Sequence, residues 1–376
     1  MKDFPLIRTG RGAIIGFIAI AAPLLLLSLS PLTGIYAVAL VLLLLPAALG
    51  IVGLTGGLAP MLAGAAVGIF SMFLLAGRPG ALLSAVYVLP ILAAFVLLFQ
   101  FRVPFWKSCA CMIGVHVFSL AGVYLLLQQM TGNDLYTVAG DTVMTALENW
   151  EMGDMMLYQA YSMGMLALPN ELSKDMLLQV GDGYMLAPAA RADLLLSMRS
   201  MVQSTLAALI PSLIVTQSIL GGVLCLLLPI RFGYIAAERR AFLANPPSEI
   251  EGEKREYRKP DFPTLGMPPL SLWHIPRGIG WQVFVALLAG NFLQASASAP
   301  LAIAGIILYS AASALFTLQG AALINFVQKT RGVRRIWRII VPILLMMVSV
   351  LSFIGIFDQI VNIRGLRMPR EPKEEE

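Results

Sequence analysis

Long stretches of uncharged, apolar residues recur along this chain, at 13–30, 32–52, 57–77, 80–100, 108–128, 203–229, 279–297, 301–326 and 337–357. A helix crossing hydrocarbon needs about 20 such residues, because the bilayer core is about 30 Å thick and each residue rises about 1.5 Å. The runs are continuous rather than alternating, which excludes a membrane barrel and leaves helices as the spanning element. Composition agrees: of 376 residues, 58% are hydrophobic and 12% charged, where a soluble domain carries about a quarter charged. One water-soluble core cannot hide that much apolar surface. The expected fold is an all-α, polytopic membrane helix bundle of about nine transmembrane helices with a short-helix external segment.

Charge gives the expected orientation. Lys2, Arg8 and Arg11 precede the first run. That run is long for a signal core and no small-x-small cleavage site follows it, which favours a retained helix. With the N-terminus in the cytoplasm, the inside loops carry Arg102 and Lys107, then the 231–277 segment, then Lys329, Arg331, Arg334, Arg335 and Arg338. The loop from about 130 to 202 falls outside, with nine acidic residues against Lys174, Arg191 and Arg199. This is the positive-inside pattern of a multi-pass protein, here placed in an inner (cytoplasmic) membrane; Arg78 alone departs from it. The net charge of +5 sits beside the ends of apolar runs, so it marks the bilayer as partner and not nucleic acid.

Four regions follow. Residues 1–230 form a six-helix membrane part that includes the external amphipathic segment 130–202. Residues 231–277 read as a cytoplasmic linker, mobile from 245 to 269 where Pro and charge dominate. A three-helix membrane part spans 278–364, and 365–376 is a polar tail. Within the external segment, apolar periodicity near 136–151, 154–168, 171–180 and 189–201 predicts short amphipathic helices, broken at Gly153, Pro169 and the Gly181-Asp182-Gly183 turn.

The polar residues within the runs are the candidate ligand contacts. His116 and Gln217 sit mid-span and could hydrogen-bond across the bundle. Asn291 and Gln294, three apart on one helix face, could line an outward pocket with Arg78 and Asp358, which the charge topology puts at the same surface; interhelical bonding is the bland alternative. Gln319 and Asn325 lie nearer the inner end of their helix. Asp358 and Arg364 are six residues apart, so on one helix they cannot face each other: either the helix breaks between them or each pairs elsewhere, with Arg78 a candidate for Asp358.

A stripe of Gly56, Pro60, Gly64 and Gly68 allows close helix approach, either as ordinary packing or as a face for another membrane subunit. Cys109 and His116 share a helix face but Cys111 points elsewhere, so no metal site is expected. Eleven of the 19 methionines lie from Met130 to Met201 without a cysteine or histidine, which fits adaptable apolar surface better than copper binding. Trp273, His274 and Arg277 form an interfacial anchor. No phosphate-binding loop or catalytic set emerges, so neither a cofactor nor enzymatic activity is expected.

Three stretches carry a resemblance: Leu272-Trp273-His274-Ile275-Pro276, Leu318-Gln319-Gly320, and Gly355-Ile356-Phe357-Asp358 followed by Arg364. Together they resemble the YybS-like family of predicted bacterial membrane proteins, whose function is not established. That family is distantly similar to the substrate-binding membrane subunits of energy-coupling-factor transporters. The resemblance implies a six-helix bundle that captures a small molecule from outside and works with a coupling protein and ATPases. The leading expectation is small-molecule binding or transport; a non-transporting scaffold or assembly factor competes with it, and a membrane enzyme comes third.

Overall fold

The computed structural model of the chain describes residues 34–150, 153–166, 177–180, 183–244, 249–250, 253–254, 264–334, 337–346 and 350–365. The first expected span and the tail from 366 lie outside these residues. The chain divides into two compact units, Met1–Val123 with Ile214–Glu376, and Tyr124–Leu213.

In the first unit, α1 (Gly34–Gly56) is followed by α2 (Leu58–Gln100) and α3 (Phe105–Thr131). The α2 backbone kinks at Gly77 (φ 64, ψ −158), two residues before Pro79, so the runs expected at 57–77 and 80–100 are its two limbs. The long helix α6 (Pro188–Ala244) contributes its portion from Ile214. Large apolar side chains fill the core, among them Leu49, Met61, Phe95, Phe99 and Phe105.

The C-terminal helices are α7 (Arg277–Gln294), α8 (Ala299–Thr330), α9 (Trp337–Met346) and α10 (Val350–Val361). All the others pack on α8, as does a 3-10 turn at Leu270–Leu272. The α8–α10 crossing is set by Gly320 and Gly355. A Cβ on Gly320 would stand 2.0 Å from Leu351 O, and one on Gly355 would stand 1.9 Å from Phe316 O. Backbone meets backbone there, the packing that small residues allow between helices in lipid.

Among the described residues, four helical stretches are long and apolar enough to cross a membrane: Gly77–Gln100, Phe105–Thr131, Pro188–Leu243 and Ala299–Thr330. Leu45–Gly56, Leu58–Leu74 and Val350–Val361 are shorter apolar helices. The expected seventh span is the 18-residue α7, whose Gln282, Asn291 and Gln294 interrupt its apolar run, and it is not one of the four. Of the expected ninth span, the described residues show α9 and the first part of α10, with 347–349 outside them. The helical membrane class therefore stands without fixing the number of crossings.

The linker expected at 231–277 is in part something else. Helix α6 continues to Ala244. Residues 249–250 and 253–254 pair as two short antiparallel strands, β3 and β4 by chain order. From Thr264 the chain is held rather than mobile. Phe105 N–H donates to Leu265 O at 2.8 Å, Trp273 Nε1 donates to Pro268 O at 3.0 Å, and the Trp273 ring packs on Phe105 and Trp106. Trp273 is thus a buried packing residue.

The second unit holds α4 (Leu135–Glu148), α5 (Gly153–Ser162) and the start of α6. Its hairpin of β1 (Leu177–Val180) and β2 (Gly183–Leu186), with Val180 opposite Gly183, corrects the helix expected at 171–180. The reason is local: an Asp-Gly step between two short apolar runs closes a hairpin more readily than it continues a helix. Leu157, Leu166, Leu186 and Leu194 form the core of this unit.

Candidate functional site

The six expected ligand residues do not converge. Arg78 is exposed beside the Gly77 kink, and Asn291 and Gln294 are exposed near the C-terminal end of α7. Asp358 is buried beside the other end of that helix, where Gln359 lies against Gly280. Gly280 and Asn291 are separated by 11 residues, about 16 Å along a helix. Asn291 and Asp358 therefore do not share a pocket.

His116 and Gln217 do not bond to each other either. His116 is 1% exposed, and its Nδ1 lies 2.9 Å from Met112 O, an acceptor, so that nitrogen carries the proton and donates. Its Nε2 is left to accept from the Cys225 thiol, with Sγ at 3.5 Å, and Tyr87 meets the ring edge-on. Both ring nitrogens are thus used, as a satisfied core histidine requires. Gln217 Oε1 is buried and has no partner among the described residues. Cys109 is buried and Cys111 exposed, on different faces of α3. Gly64 and Gly68 line an apolar gap of about 20 Å³ together with Leu45, Leu49, Ser84 and Val88. At that level the stripe faces the chain's own helices, as the ordinary-packing alternative has it.

Asp358 finds its partner through a helix break. Helix α10 ends at Val361, Asn362 takes a left-handed conformation (φ 52), and the chain turns back. Asparagine tolerates that region better than most residues. Arg364 then reaches Asp358 Oδ2 with Nη2 at 2.7 Å and Nε at 3.2 Å, so Arg78 is not the partner. Arg364 Nη1 also donates to Ser271 O at 2.9 Å. Gln319 Nε2 donates to Asp358 Oδ2 at 3.1 Å and to Gln359 Oε1 at 3.0 Å, while its Oε1 accepts from Ile275 N–H at 3.3 Å. This network ties the 271–275 segment, α8, α10 and the closing turn into one clamp. With the ion-pair side chains 1% and 4% exposed, it is closed to any ligand of ordinary size.

The roomier site lies in the second unit, and the sequence reading missed it. A groove of about 520 Å³ runs between α4 and α6, lined by Asp141, Met144, Thr145 and Glu148 on one side and Ala192, Leu195, Leu196 and Arg199 on the other. Each wall follows the i, i+3, i+4, i+7 spacing of a single helix face. Arg199 Nη2 bridges the groove to Asp141 Oδ1 at 2.5 Å, and Arg191 fixes one end through Asp154 (2.7 Å) and Glu148 O (3.2 Å). At the other end Gly140 lets α4 approach Gln203 closely. The volume falls within the range of small-molecule sites. Two carboxylates against one guanidinium give the lining an acidic excess, beside the apolar Met144, Leu195 and Leu196.

Residues 254–359 match the model of a family described as "Predicted membrane protein (DUF2232)", a segment that includes Trp273, Gln319, Gly320, Gly355 and Asp358. No curated protein and no solved structure matches the chain. The match covers less than a third of the sequence. Together with the apolar helices, it supports a membrane protein similar over that segment to a family known only as predicted membrane proteins.

Proposed function

We propose that this chain is a membrane-embedded binding protein whose 124–213 unit receives a small amphipathic cation in the groove between α4 and α6. The groove itself carries the reading: its volume suits a small molecule, its lining offers the apolar Met144, Leu195 and Leu196, and its charge favours a positive group. The scatter of Arg78, His116, Gln217, Asn291, Gln294 and Asp358 favours this location over a pocket among the spans. On this reading the chain is a binding protein rather than an enzyme. The loop charges still argue for about nine crossings of an inner membrane with the N-terminus in the cytoplasm, which would place the 124–213 unit outside. Handing the bound molecule to a transport step would follow the energy-coupling-factor resemblance and need further subunits.

The test is binding of tritiated tetraphenylphosphonium to the purified chain in neutral detergent, with tetraphenylborate as the anionic control. Saturable binding of the cation that falls at least tenfold in Glu148→Lys and in Leu195→Lys supports the proposal. Equal uptake of both ions, unchanged in the variants, rejects it. The scaffold alternative draws on a different observation, the exposed Trp150, Met155, Met156, Met163 and Met165 of the same unit. Stoichiometric co-purification of a second protein, lost when these become serine, would favour it.

A further inference from the structure

Between Asp261 and Glu371 the sequence holds a single carboxylate, Asp358, and Arg364 occupies it. Four cations gather at the α8–α9 turn: Lys329, Arg331, Arg334 and Arg338. Among the described residues none of the four is ion-paired, and Arg338 Nε is buried without a hydrogen-bond partner.

The described residues of the turn are tied together by hydrogen bonds. Gly332 (φ 69) closes α8, with Gly332 N–H donating to Lys329 O at 3.2 Å and Val333 N–H to Gln328 O at 3.0 Å, the two bonds of a Schellman cap. Asn325 Nδ2 donates to Arg338 O at 2.7 Å and ties the start of α9 to α8. Cations at the end of α8 complement its dipole, which is reason enough for Lys329 and Arg331. Arg334 and Arg338 stand at the start of α9, where the dipole is positive and a cation is disfavoured. A counter-anion would resolve that conflict, and none of the described residues supplies one. Helix α8 is long and apolar enough to span a bilayer, and Trp337, half exposed beside Arg338, is the residue type that seats at the lipid–water boundary.

We propose that the α8–α9 turn binds the phosphate of an anionic phospholipid headgroup through Lys329, Arg331, Arg334 and Arg338, with Trp337 at the glycerol level. Lipid is the source favoured over free phosphate because the turn closes an apolar spanning helix, where headgroups are the concentrated anion.

Native mass spectrometry and thermal unfolding of the full chain in neutral detergent test this, with phosphatidylglycerol, phosphatidylcholine, inorganic phosphate and polyglutamate as separate additions. Phosphatidylglycerol should form a discrete adduct and raise the Tm, since a ligand that binds only the folded state stabilises it. Binding should weaken at least tenfold in Arg334→Gln/Arg338→Gln and fade with salt, while Arg338→Lys retains part of it. Arg334 is exposed, so Arg334→Gln alone serves if the double variant does not fold. Equal binding of phosphatidylcholine, full binding by the variants, or a response to inorganic phosphate alone would overturn the proposal. A response to polyglutamate but not to phosphatidylglycerol would overturn it in favour of an acidic protein partner.

Discussion

Two regions of this molecule use the same side-chain chemistry at opposite extremes of burial. Around α8, an Asp–Arg pair sits 4% and 1% exposed, held by Gln319 and a backbone carbonyl, where helices touch backbone to backbone. In the 124–213 unit, the Asp141–Arg199 pair is 45% and 46% exposed and spans an open groove. Water screens the second pair and supplies alternative partners, so little stability depends on it. The first pair has no such alternative, and removing one member strands a charge. Equal-looking ion pairs thus do different work: one closes the C-terminal helices, the other spans an open groove.

The sharpest way to break this contrast is Asp358→Asn. Arg364 would keep its charge and lose its counter-ion, a change expected to cost about 3–5 kcal/mol. Unfolding in detergent, followed by thiol-reactive dye or size exclusion after heating, should show a large fall in Tm. Joint replacement of Asp358 and Arg364 by leucine and methionine should recover much of the loss, because apolar groups leave nothing unpaired. A wild-type Tm in Asp358→Asn would remove the buried half of the comparison.

Gly355→Ala comes next. Its new methyl would meet Phe316 O, and a backbone carbonyl cannot swing aside as a side chain can. Overpacking of this kind costs about 1–3 kcal/mol. The same substitution at Gly278, where a Cβ meets nothing within 4 Å, should leave the Tm unchanged.

Arg199→Gln should be mild. An exposed pair contributes about 0.2–1 kcal/mol, and added salt should shrink even that. Binding tells the groove's side of the story: losing Arg199 makes the lining more acidic, so affinity for tetraphenylphosphonium should rise while stability barely moves. A fall in both would mean the pair holds the unit together rather than bordering a site.

How far the residues disclosed these features differs between the regions. The apolar runs marked the helices, and the Gly77-Arg78-Pro79-Gly80 step marked the gap between two of them. The six-residue spacing of Asp358 and Arg364 posed a choice between a helix break and separate partners; Asn362 now explains the break. What spacing could not disclose is which end of α7 meets Asp358. Charge bias orients loops, but the side-on approach of α10 to α8 at Gly320 and Gly355 is set by packing. The groove's two stripes were equally present in the periodicity. Asp141, Glu148 and Arg199 at their edges look like any solvated helix face, and only packing shows that the stripes face each other across a gap.

The smallest expected effect tests whether polar contacts in the 124–213 unit behave as surface contacts. Tyr136 donates its hydroxyl to Asp134 Oδ2 at 2.6 Å, and the same carboxylate accepts from Gln128 Nε2 at 2.7 Å. The hydrogen bond, and then the carboxylate's charge, raise the Tyr136 phenol above its ordinary 10.0. A raised folded value means the contribution is fully present below the unfolded value and is lost as pH climbs through the folded one. At neutral pH, therefore, the contact is intact, and only alkali above about 10 removes it. Ultraviolet difference titration of the folded protein against Tyr136→Phe should lose one phenol that ionises later than an exposed tyrosine. In Asp134→Asn that phenol should ionise earlier, because the charged acceptor is gone. Neither variant should shift the Tm appreciably at neutral pH, since water can replace a bond this exposed. A large loss of stability in Tyr136→Phe would show instead that the start of α4 hangs on this contact, and would move it from the open side of the comparison to the closed one.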